Sequence, residues 1–253
     1  MRTVQTIAVI AGLLSALPAS AQTPQAPRPL PRDLEIQLAL SALPPHLRDH
    51  ATVYVLNPAK GFEVARQGSN GFHAFVARTG DDAFRGTWPL THYRDDILYP
   101  IAFDNAGAKA QMRVFVDAAE LQARATPPEE LKRIIQQRFT THYYHSPERA
   151  GLAYMLSPVL RTYTNPDADE NVVTANVPHV MYYAPDVSNE DIGGAKPQPG
   201  SLYPFVILHG PHGYSIQFLG VTETAALTRE YGEMLSRLCG INRLWCLPAA
   251  EGQ

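Results

Sequence analysis

Short runs of β-branched and aromatic residues alternate with amphipathic stretches in no regular strand–helix rhythm, and this order most constrains the fold. A doubly wound parallel sheet needs a helix between successive strands. Here residues 52–56, 62–66 and 72–78 follow one another as strand-like runs separated only by turns. The first turn carries Asn57, Pro58 and Gly61, and the second is Gly68-Ser69-Asn70-Gly71. The three runs read as a meander, with the second turn closing a hairpin. Further strands are expected at 97–103 and 112–116 around a turn at 104–107, then at 177–184. Residues 205–208 and 214–219 flank His209-Gly210-Pro211-His212-Gly213 as a hairpin.

Helices are marked by caps and spacing. Asp33 can cap a helix through Leu34, Ile36 and Leu38, stopped by Pro44-Pro45. A short helix is expected at 117–123. Thr126 can cap another, with Pro127 at its first position and Glu129 returning a bond, and Leu131, Ile134 and Ile135 on one face. Ser146-Pro147-Glu148-Arg149 reads as a helix start running to about Leu156. Residues 157–176 read as irregular, and 186–204 as a long loop. Thr222 opens a last helix that buries Leu227, Tyr231, Met234 and Leu238 and ends at Gly240. The sum is an α+β fold, an antiparallel sheet with helices packed on it and a C-terminal helix followed by a disulfide-pinned tail.

That pinning comes from Cys239 and Cys246, the 2 cysteines of the chain. In an oxidising compartment such a pair forms a disulfide, worth roughly 2–3 kcal/mol in loop entropy. The N-terminus points to such a compartment. Met1-Arg2 is followed by an uncharged, mostly apolar run at 6–17 and by Ala19-Ser20-Ala21, the pattern of a secretory signal cleaved before Gln22. The organisation expected is a signal at 1–21, a Pro-rich extended leader at 22–32 and a single domain at 33–253. Removing 21 of 253 residues leaves 232, ample for a sizeable core. No later run spans a membrane, so a soluble periplasmic or secreted protein is expected.

Lys and Arg total 21 against 24 Asp and Glu, with no basic block, which argues against nucleic-acid binding. The Gly-x-Ser-x-Gly elbow, the phosphate loop, the dinucleotide fingerprint, the His-Glu-x-x-His pattern and the EF-hand loop are all missing from the sequence. The unusual feature is histidine: of 9, five fall between 142 and 212. His209 and His212 bracket a Gly-Pro step where two ring nitrogens can converge. His179 opens a strand whose end can lie beside that turn. With an open position, three neutral imidazoles suit Zn²⁺ or Cu²⁺. His142 and His145 read as surface residues before a helix start. Asp81-Asp82 and Asp95-Asp96 read as solvated loop charges, Asp186, Asn189, Glu190 and Asp191 as an acidic turn, and Trp88 and Trp245 as packing residues.

Residues 51–72, 154–158 and 178–185, with Gly210-Pro211-His212-Gly213-Tyr214, resemble segments of uncharacterised exported bacterial proteins. The resemblance implies export and a single module, and it transfers no catalytic residues. The reading that follows is an exported ligand-binding or accessory protein. Its pocket is expected near 186–204 and the His209–His212 turn, and its partner is a small molecule or an envelope protein. A His-ligated metalloenzyme, hydrolase or oxidoreductase, is the second reading. An interaction module of the envelope, with an exposed apolar patch in place of a polar cavity, is the third.

Overall fold

A computed structural model describes residues 27–79, 93–163, 172–194 and 202–248. Its elements run α1 (Arg32–Ser41), α2 (Pro45–Arg48), β1 (Thr52–Asn57), β2 (Gly61–Arg66), β3 (His73–Ala77), β4 (Tyr99–Phe103), α3 (Asn105–Ala110), α4 (Met112–Ala123) and α5 (Pro128–Thr140). There follow β5 (Leu152–Met155), β6 (Leu160–Tyr163), β7 (Val172–Ala175), β8 (His179–Tyr183), α6 (Asn189–Ile192), β9 (Phe205–Leu208), β10 (Tyr214–Phe218), α7 (Val221–Glu230), α8 (Gly232–Ile241) and a 3-10 turn at Arg243–Trp245. Eight strands form one sheet in the order β2-β1-β3-β4-β5-β8-β10-β9, and β6 pairs with β7 in a second. Every pairing in the large sheet is antiparallel except β1 with β3. The architecture is the expected mixed α+β fold.

The apolar pattern explains the layers. Successive strand side chains point to opposite faces. Phe75, Tyr99, Ile101 and Phe103 join Phe115 and Leu121 of α4 and Leu131 and Ile135 of α5 in one cluster. Ala74, Val76, Leu98 and Ala102 join Leu34 and Leu38 of α1 and Met234 and Leu238 of α8 in another. The middle of the sheet is therefore covered on both sides, and β4 is buried at all five positions. Phe75 meets Phe115 edge-on at 5.6 Å and Phe103 at 6.1 Å. Each such ring stabilises the fold by about 1.5–3 kcal/mol through burial. Toward the β9 edge burial alternates along β8: His179, Met181 and Tyr183 are buried, while Tyr182 is exposed.

Several expectations need correction. The β2–β3 connection is no hairpin, because β3 crosses to the far side of β1 and pairs with it in parallel. Gly68 is needed there for a close approach, since a Cβ would lie 2.2 Å from the Ala51 backbone. Residues 112–116 are the first turns of α4. Met112, Phe115 and Ala119 bury at helical spacing, which a five-residue β-like window conceals. The cap positions of α1 and α5 are held by Pro31 and Pro127 rather than by Asp33 and Thr126. Residues 146–151 form no helix, and the chain enters β5 instead. Within 157–176 lie β6 and β7, and within 186–204 lies α6, whose Ser188 and Asp191 form a capping box. Thr222 does not cap α7, since Gly220 takes that position, and the last helical stretch breaks at Tyr231 into α7 and α8.

Two tethers fix the C-terminal tail. Cys239 and Cys246 are disulfide-bonded. Trp245 is buried, as expected of a packing residue, and its Nε1–H donates to the Asp96 carbonyl at 2.8 Å. Asp96 is no solvated loop charge but a buried carboxylate ion-paired with Arg94 and Arg161, each at 2.7 Å. Burial works against its charge, and the two guanidiniums outweigh this, holding its carboxyl below the usual range. Leu30 is buried and Arg28 pairs with Asp95, so the end of the Pro-rich leader packs on the fold. The signal segment, Asp81, Asp82 and Trp88 lie outside the described residues. No helix among the described residues is long and apolar enough to cross a membrane.

Candidate functional site

The end of β4 and the start of α3 carry an anchored polar cluster. Asp104 caps α3, and its Oδ1 accepts from the Gly107 N–H at 2.9 Å. The Tyr183 hydroxyl, from β8, lies 3.1 Å from the same oxygen and 2.8 Å from the Leu152 carbonyl. Burial, then the charge of Asp104, raises the Tyr183 pKa well above that of an ordinary phenol, so it stays a donor. Arg149 pairs with Asp104 Oδ2 at 3.3 Å and donates from Nη1 to the Ala150 carbonyl at 2.8 Å. Two glycines make room for this arrangement. A Cβ at Gly107 would lie 1.7 Å from the Tyr183 hydroxyl oxygen, and one at Gly151 would lie 2.3 Å from Asp104 Oδ2.

Beside this cluster is a half-open cleft of about 480 Å³. Its polar lining comes from Asn105 and Lys109 of α3 and from His145, Ser146, Glu148 and Arg149 of the loop before β5. Asn105 belongs to a second network. Its Oδ1 lies 3.2 Å from His73 Nε2, and His73 Nδ1 lies 2.9 Å from the Tyr54 hydroxyl. With Asn105 Oδ1 as acceptor, the His73 proton sits on Nε2 and Tyr54 donates to Nδ1.

The histidines singled out in the sequence are distributed differently. His179 is buried, and its Nδ1 bonds to the Val177 carbonyl at 2.7 Å. It pairs with Phe218, whereas the β10 end next to His212 pairs with Tyr183. A ladder of roughly 13 Å therefore separates His179 from the turn. His209 is exposed and lies within the electrostatic reach of Glu190. His212 instead stands against Phe139, edge-on at 5.1 Å, and faces His142 and His145. Burial first, then the charges of those two imidazoles, lowers the His212 pKa. His142 and His145 are exposed, as expected of surface residues, but they follow the end of α5 and precede no helix. Among the described residues no group of three or more His, Cys, Asp or Glu is arranged to hold a metal ion. The acidic turn is engaged internally: Ser188 caps α6 with Asp191 accepting from the Ser188 N–H, and Asn189 bonds to the Val206 backbone.

Sequence reasoning missed Asp104, Asn105, Lys109, Glu148 and Arg149. The Asp104-to-Gly107 spacing is a legible cap signal. Nothing local links it to residues 145–149 or to Tyr183, which reach it only through the β4-β5-β8 order. No family model matches the chain, and neither a curated protein nor a solved structure matches it at a significant level.

Proposed function

We propose that this is an exported ligand-binding protein that takes a small polar molecule in the cleft between α3 and the 145–149 loop. The observation that carries this reading is convergence: six polar side chains from two distant segments, one of them a guanidinium paired with a buried carboxylate, line one cleft of about 480 Å³. That volume lies within the roughly 300–1,000 Å³ of small-molecule sites. Binding is favoured over nucleophilic catalysis because Ser146, the lining hydroxyl, has no hydrogen-bonded base among the described residues. The disulfide supports export to an oxidising compartment.

The test is a thermal-shift screen of polar metabolites against the wild type and Ser146→Trp, which fills the cleft. A ligand at a hundred times its Kd stabilises the wild type by about 2.7 kcal/mol and leaves the filled variant unmoved. Equal shifts in both proteins, or none in either, would sink the reading. The compartment is checked separately, by mass spectrometry of the exported chain for an N-terminus at Gln22.

A further inference from the structure

Among the described residues two charged side chains on the cleft wall have no ion-pair partner. Among the described residues Lys109 has no carboxylate, and Glu148 no cation, within ion-pair distance, and they do not pair with each other. The third charge, Arg149, is already oriented. Asp104 holds one side of its guanidinium and the Ala150 carbonyl the other, and Asp104 is itself 8% exposed and fixed by Gly107 and Tyr183. The cleft therefore presents a guanidinium paired with Asp104 and, among the described residues, an unpaired ammonium and an unpaired carboxylate to the same space. Resting on the reading of this cleft as a binding site, we infer that its ligand is a small zwitterion bearing one carboxylate and one ammonium, a free α-amino acid or a short peptide.

The signs of the lining charges select the ligand. Asp104 already offsets the charge of Arg149. A ligand with only negative charge therefore gains Lys109 but meets Glu148, and one with only positive charge gains Glu148 but meets Lys109. Like charges placed together penalise the wrong partner, so a lining of both signs selects a ligand of both signs. The carboxylate belongs with Lys109, whose ammonium has no carboxylate of its own among the described residues, and the remaining N–H groups of Arg149 lie on the same wall. The ammonium belongs with Glu148. Asn105 and Ser146 add neutral donors and acceptors for a peptide group or a polar side chain.

Titration calorimetry on the purified protein tests this with L-alanine and trialanine, with the N-acetylated and C-amidated form of each, and with succinate and putrescine as ligands of a single sign. The expected result is saturable binding of alanine or trialanine that weakens roughly tenfold when either end is blocked, the size of one lost charge-assisted bond. In Glu148→Gln the N-acetylated and free probes should bind alike, and in Lys109→Met the amidated and free probes should bind alike. Both positions are exposed, so the variants should keep the wild-type circular dichroism and melting profile. Alanine without trialanine identifies a free amino acid, and the reverse a peptide. Binding indifferent to blocking, or binding of succinate or putrescine alone that Ser146→Trp abolishes, overturns the ligand class and leaves the cleft reading standing. No saturable binding by any probe overturns the ligand class, and a metabolite screen without a cleft-dependent shift overturns the cleft reading with it.

Discussion

Gly107 has no side chain because Tyr183 already fills the space. The hydroxyl oxygen would lie 1.7 Å from a Cβ there, and the ring Cζ 2.5 Å. Tyr183 cannot retreat cheaply, since it is 6% exposed and holds the Leu152 carbonyl and Asp104. Gly107→Ala should therefore push Tyr183 off Asp104 and lower stability by about 1–3 kcal/mol, the range for overpacking, read from urea unfolding. Adding Tyr183→Phe should recover only part of the loss, because Cζ still clashes. Full recovery would mean that the hydroxyl alone fills the gap. The same displacement loosens Arg149, so ligand affinity should fall with stability.

Among the elements, β9 is one of the two end strands of the large sheet, β2 being the other. Unpaired edge strands recruit other chains. Here Asn189 of α6 lays its amide against that edge like a short piece of strand. Its Oδ1 accepts from the Val206 N–H at 2.7 Å, and its Nδ2 donates to the Val206 carbonyl at 3.0 Å. Asn189→Ala removes both bonds and frees the edge. The expected outcome is a loss of about 1–2 kcal/mol and faster aggregation on mild heating, followed by light scattering. Unchanged scattering kinetics would show that the edge is protected by something other than Asn189. The α6 capping box, in which Ser188 and Asp191 exchange bonds, holds the helix that delivers this side chain.

For the whole molecule, His179 and His212 tie stability to pH from opposite ends of the β8–β10 ladder. Burial lowers both pKa values, opposed at His179 by the Val177 carbonyl and reinforced at His212 by His142 and His145. The unfolded chain, with its histidines near pKa 6.5, then binds more protons than the folded one as pH falls. Stability is full above about pH 6.5 and declines below it as these imidazoles are forced to charge. Urea midpoints should drop between pH 7.5 and 5.5, and less so in a His179→Gln/His212→Gln double variant. Asp96, whose pKa is lowered, loses its contribution only at lower pH, below the unfolded carboxylate range, so the two effects separate. Equal drops in both proteins would assign the pH dependence elsewhere.

Short-range pattern suffices for the class of fold and its local pieces. The antiparallel hairpin of β9 and β10, the β1–β2 hairpin and the disulfide all follow from short-range pattern, because turn residues, period-two alternation and a lone cysteine pair act over a few residues. Helix starts at 126 and 222 were legible to within a few residues, although the capping residues were not. Tertiary structure decided the rest. It decided that β3 runs parallel to β1, since that register depends on Gly68 packing against residues 50–52. It carried 112–116 into a helix, because a buried helical face there satisfies the Phe75 cluster. It also placed the cleft, because Lys109 and Glu148 line one space only where the pairing of β4 with β5 brings α3 and the 145–149 loop together. Burial and strand order are properties of the whole chain, and no local window of sequence contains them.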